Sequence, residues 1–116
     1  MRKVNIGEEH CTMVMCKDEP GAGGACHEYL VGASNDTVVF ANVSFQNGAI
    51  KENGVNGCQN EDLIAIVIDR LQGFQSGDFN CRENAIAITK LEEAMLWLNK
   101  RTNDRISRGV EGMSVV

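Results

Sequence analysis

Three arginines supply the first chemistry legible in this chain. Arg101, Arg105 and Arg108 are spaced by four and three, so on a helix they share one face within two turns. Guanidinium forks at that spacing suit phosphate or carboxylate oxygens, and like charges so crowded gain from an anion between them. The competing reading is a solvated basic helix end that complements the helix dipole. Arg105 tips the balance toward a partner surface, because it continues an apolar seam upstream of it.

Two other residues stand out against the same seam. Asn84 interrupts it near its start, and serves either as a ligand contact or as a register-setting polar group. Phe74 is either core or a platform on which a base could stack. Trp97 falls off the seam, where tryptophan usually buries against another layer or subunit. No Ser-His-acid order, HExxH or paired-carboxylate spacing is present, so no catalytic residue is assigned. Cys11, Cys16, Cys26, Cys58 and Cys81 are an odd number without a CxxC pair and read as free thiols. A zinc set drawn from His10, Cys11, Cys16, Cys26 and His27 has suitable ligand types but fits no regular knuckle, so no metal is assigned. The loop KDEPGAGGACH (17–27) could offer bare amides to an anion, or simply need positive φ angles; no Gly-Lys-Ser/Thr follows it.

The elements that must position these residues follow from periodicity. Ile88, Leu91, Met95 and Leu98 alternate in steps of three and four, predicting a long helix from Asn80 to Arg108 that Gly109 and Gly112 stop. Extended, this seam runs from Asn84 to Thr102 and Arg105. A preceding helix starts at an Asn60 cap, carries Leu63, Val67, Leu71 and Phe74 with Ile64 and Ile68 widening its face, and is ended by Gly73 and then Ser76-Gly77-Asp78. The short link predicts an antiparallel hairpin with Phe74 and Asn84 near its closed end. Upstream, residues 4–16, EYLVGAS and TVVFANVSFQ read as strands. The last is expected to be central, and the Asn47-Gly48 turn to return into AIKENGV. The fold class is thus α+β, an N-terminal antiparallel β-meander (about 1–58) followed by a C-terminal antiparallel two-helix hairpin (about 59–109), in one domain of 116 residues.

Asn84 and Arg101 lie seventeen residues apart on one helix, roughly 25 Å. No mononucleotide-sized ligand bridges that, so a ligand touching both ends must take one from a second copy, as an antiparallel dimer would supply. The net charge of -5 argues against a DNA or RNA binder. No run is long enough to span a membrane, and the N-terminus lacks a signal-peptide core; a cytosolic protein is expected.

The segments KDEPGAGGACHEYL, NGAIKENGVNG, NEDLIAIVIDRLQGFQ and CRENAIAITKLEEAMLWLNKRTNDRISRGVEG closely resemble the first family of Thoeris anti-defence proteins of bacteriophages. RTNDRISRGVEG is also similar to the hairpin shared with the second anti-CBASS phage protein family. The resemblance implies a non-enzymatic sponge in the host bacterial cytoplasm, without a cofactor. It would capture a cyclic ADP-ribose isomer (glyco-cyclic ADP-ribose) made by TIR immune enzymes, as a homodimer or hexamer with ligand sites between protomers. It implies that Phe74 stacks on adenine, that Asn84 hydrogen-bonds nearby, and that Arg101 and Arg105 hold the diphosphate from the other protomer. A second site for cyclic di- or trinucleotides would involve Arg108, Gly109 and Glu111. Met113 stands where the family pattern has threonine, which bears on that second activity. Alternatives are a cyclic-oligonucleotide sponge against CBASS, or an inhibitor binding a host immune enzyme directly.

Overall fold

The computed structural model describes residues 1–116, which divide into two compact units, Met1–Cys58 and Gln59–Val116. The first unit is a four-stranded antiparallel sheet in the order β1-β2-β3-β4, formed by β1 (Arg2–Lys3), β2 (Thr12–Cys16), β3 (Glu28–Ala33) and β4 (Val39–Ser44). Cys16 opposes Tyr29 across the β2–β3 ladder, and Tyr29 opposes Val43 across β3–β4. Tyr29 meets Phe45 edge-to-face at 5.8 Å. The loop from 17 to 27 is tied down by Asp18, whose carboxylate accepts the backbone N–H groups of His27 and Glu28 at 3.0–3.2 Å. Those bonds, the His27 amide first, hold the Asp18 carboxyl below its ordinary range.

Two strand expectations are corrected. β4 is not central but an edge, and Phe40 on it is 64 % exposed. Its apolar alternation is real, yet only Val43 of the strand is half-buried. Nor does Asn47-Gly48 turn into a returning strand: α1 (Ile50–Asn53) is a single helical turn. Side-chain amides take the hydrogen bonds a return strand would have made. Asn56 donates to the Asn47 carbonyl and accepts its N–H, both at 2.8 Å. Gln46 donates to the carbonyls of Gly48 and Gly54 and accepts the Asn56 N–H. The chain rejoins β4's end only through the parallel bridge of Phe45 with Cys58. There a Cβ on Gly57 would lie 2.4 Å from the Phe45 backbone, so only glycine fits.

In the second unit α2 (Asn60–Gln75) packs on α3 (Arg82–Ser107). The cap of α2 is Gln59 rather than Asn60; its N–H donates to Asp62 Oδ2 at 2.8 Å. Gly73 does not stop α2, since one glycine costs a helix only about 1 kcal/mol. The helix closes at Ser76, the second of the expected stops, whose hydroxyl donates to the Gly73 carbonyl. Gln75 then clasps the start of the next helix, accepting the Cys81 N–H at 2.9 Å and donating to the Cys81 carbonyl at 3.0 Å. Cys81, not Asn80, caps α3, its sulfur accepting the Asn84 N–H at 3.4 Å. At the other end Gly109, at φ 71°, lets the Val110 N–H reach back to the Arg105 carbonyl. No helix is long and apolar enough to cross a membrane.

The α3 seam lies where the spacing predicts it. Asn84, Ile88, Leu91, Met95, Leu98 and Thr102 are half-buried, and Arg105 is buried. The α2 face agrees with expectation at Leu63, Ile64, Ile68 and Leu71, which are half-buried along with Gln75, whereas Val67 and Phe74 stand more exposed.

Candidate functional site

The last three turns of α3 and the chain end form a basic hollow of roughly 710 Å³, walled by Trp97, Lys100, Arg101, Asp104, Arg105, Arg108 and Val116. The helix repeat brings these residues together, because 97, 101, 105 and 108 fall on one face. The charges in the hollow are unequally committed. Lys100 pairs with Asp104 at 2.8 Å. Arg105 is 8 % exposed and donates from Nε to Glu111 at 3.1 Å. Its other nitrogens donate to the carbonyls of Val110 and Met113, each at 2.9 Å, and of Val115. Arg108 donates to the Val116 carbonyl.

Arg101 has no hydrogen bond or ion pair of its own and stands exposed on the wall. Two guanidinium groups are therefore occupied by the residues that follow the helix, and one is open. Such a surface favours an anion, since Arg101 presents a planar fork with several free donors while the acid of the hollow, Asp104, is paired with Lys100. Nothing here pairs a nucleophile with a base.

The candidate residues for a second site belong to the same cluster rather than a separate one. Glu111 is the carboxylate that Arg105 holds, and Gly109 is the left-handed residue that turns the chain back toward it. Trp97, read from sequence as a buried packing residue, is 71 % exposed and lines the hollow beside Arg101. Its spacing of four before Arg101 was the available signal.

Phe74 and Asn84 lie elsewhere in the hairpin, at its closed end. Phe74 is 37 % exposed, and the Arg70 guanidinium stacks on its ring at 5.1 Å from the centroid. Arg70 was not singled out by sequence reasoning, although it precedes Phe74 by one helical turn. Asn84 is half-buried within the first turn of α3, and its side-chain amide makes no hydrogen bond within the chain. Along α3 the seventeen residues from Asn84 to Arg101 amount to roughly 25 Å. One chain therefore carries the two groups of candidate residues at opposite ends of one helix and does not bring them together.

Comparison with known proteins bears on what this hairpin is. Residues 39–103, more than half of the chain, match the family model described as the Acb2/Tad1 hairpin domain. A protein of Bacillus phage SBSphiJ7 named Thoeris anti-defense 1 is 68% identical over 73 residues, which cover 63% of this chain and 51% of that relative. The chain thus spans about half the length of the curated relative it matches. The family match takes in β4, α2 and α3 as far as residue 103, Arg101 included, and stops short of Arg105.

Proposed function

The chain belongs to the Acb2/Tad1 hairpin-domain family, and from that membership we propose that it is a phage anti-defence protein acting as a sponge. In this reading it captures a cyclic ADP-ribose isomer, glyco-cyclic ADP-ribose, made by host TIR enzymes in the bacterial cytoplasm. It holds the signal unaltered, so that Thoeris defence is not triggered. No reaction step is required of it. Sequestration needs only affinity and an excess of protein over signal.

The observation that carries this reading is Arg101, an exposed guanidinium without an intrachain partner on the wall of a basic hollow. A diphosphate is the anion whose oxygens match such a fork, with Arg105 beside it. Phe74 and Asn84 supply an aromatic face and an uncommitted amide for an adenine. Because one chain keeps these groups apart, a homo-oligomer is part of the proposal. In an antiparallel pair each ligand would take Phe74 and Asn84 from one copy and Arg101 and Arg105 from the other. The exposed apolar side chains of the hairpin, Ile66, Leu96 and Trp97 among them, are consistent with a covering copy.

Titration calorimetry of the full chain with purified cyclic ADP-ribose isomers tests this reading. Arg101→Ala is expected to weaken capture by roughly 10- to 150-fold, the equivalent of about 1.5–3 kcal/mol for charge-assisted hydrogen bonds. Nucleotide recovered after heating the complex is expected to be chemically unchanged. An altered nucleotide would mean an enzyme. Binding of cyclic di- or trinucleotides with none of cyclic ADP-ribose isomers would move the reading to CBASS. Capture of a host immune enzyme in pull-down without nucleotide would make the protein a direct inhibitor. Unchanged affinity in Arg101→Ala would remove the hollow from the site.

A further inference from the structure

A second constellation belongs to the β-rich unit and plays no part in the arginine hollow. Cys16, at the end of β2, carries the one fully buried hydrophobic side chain. Asp18 follows two residues later, and Cys26 closes the loop ahead of β3. Both thiols converge on Asp18. The Cys16 and Cys26 sulfurs lie 3.4 and 3.5 Å from its main-chain oxygen, and Cys16 Sγ lies 3.7 Å from its Oδ1. The two sulfurs and a carboxylate oxygen all sit within 4.8 Å of one another. Around a tetrahedral zinc with bonds of about 2.0–2.3 Å, such atoms stand about 3.3–3.8 Å apart, so contraction of about 1 Å would complete three corners.

We propose that Cys16, Asp18 and Cys26 form a site for one zinc-class divalent cation, with a fourth corner left to water. The charges fit this set. Two thiolates and a carboxylate carry three negative charges, a divalent cation leaves one, and the Arg2 guanidinium lies 3.9 Å from Cys26 Sγ to offset it. Asp18 is already oriented by the backbone amides of His27 and Glu28, and a carboxylate retains lone pairs beyond those. A disulfide between the same cysteines would require a two-electron thiol oxidant. The site also meets a need of this unit, since a small β unit with one fully buried apolar side chain gains from a staple between loop ends. Of the zinc set drawn from the sequence, only Cys16 and Cys26 lie in the cluster; its third member, Asp18, carries no spacing signal of its own.

The test uses the full chain, purified under reducing conditions without chelator and loaded with zinc or cobalt(II). The expected result is one metal per chain, a sulfur-to-cobalt charge-transfer band, and a Cys26 thiol protected from labelling until a chelator is added. Cys26→Ser is expected to abolish the band, whereas Cys11→Ser keeps it. The Cys16 thiol is buried, so its variant would probe folding as well as metal; the wild-type cobalt spectrum and the Cys26 variant avoid that ambiguity. The proposal is overturned by absence of retained metal and of the band, or by a band that survives Cys26→Ser. Protection lifted by a thiol reductant but not by a chelator would show a disulfide and overturn it equally.

Discussion

Arg105 holds the chain end in place, and substitution would not separate that from the ligand contact proposed for it. It is buried, and its donors gather Glu111 and three carbonyls from the residues after α3. Arg105→Ala is expected to lower unfolding stability by about 2–3 kcal/mol in denaturant titration, because those acceptors lose a charged partner. Loss of ligand in that variant would not by itself locate the diphosphate, which is why Arg101 is the cleaner probe. Glu111→Gln is expected to keep the Nε hydrogen bond while removing the charge that competes with an anion. Calorimetry should then show affinity raised a few-fold; reduced affinity would mean that Glu111 assists the ligand. Phe74→Ala should cost about 1–3 kcal/mol of binding if adenine stacks there, with circular dichroism as the check on folding. Spacing alone located the α3 seam from Asn84 to Arg105. What spacing could not tell is where the Arg105 donors go, because most of its acceptors are backbone carbonyls, which every residue type carries.

At the level of elements, the two side-chain clasps explain where sequence rules succeed and fail. The helix pair was legible because periodicity persists over sixteen and twenty-six residues. The strand expected after Asn47-Gly48 was not, because Gln46 and Asn56 satisfy the local backbone through their amides, and that geometry has no periodic signature. Asn56→Ala is expected to destabilise this loop by about 1 kcal/mol, with faster amide exchange over 46–58. Gln75→Ala removes both bonds to Cys81 and should likewise cost about 1–2 kcal/mol. If Gln75→Ala melts as wild type does, the clasp is not what closes the hairpin. The edge position of β4 was misread for a different reason. Alternating apolar residues report that a face is fit for burial, not that the same chain buries it.

The molecule as a whole keeps little of its apolar surface inside. Phe40, Ile66, Leu96 and Trp97 are each more than 60 % exposed, and no apolar side chain of the helical unit is fully buried. A chain so built is expected to melt at a temperature that rises with protein concentration, as mass action requires when folding and association are linked. Melts at concentrations a hundredfold apart would check this; coincident curves would mean that the single chain is self-sufficient. The distance between Asn84 and Arg101 on α3 has a genetic consequence. If each ligand is held by opposite ends of two copies, then Asn84→Ala and Arg101→Ala, each impaired alone, should complement each other when expressed together. A mixed pair would contain one doubly damaged cleft and one intact cleft. Random pairing would therefore return about a quarter of wild-type capacity. Two broken alleles in one infected cell would make a working antagonist, whereas two copies of either allele would not.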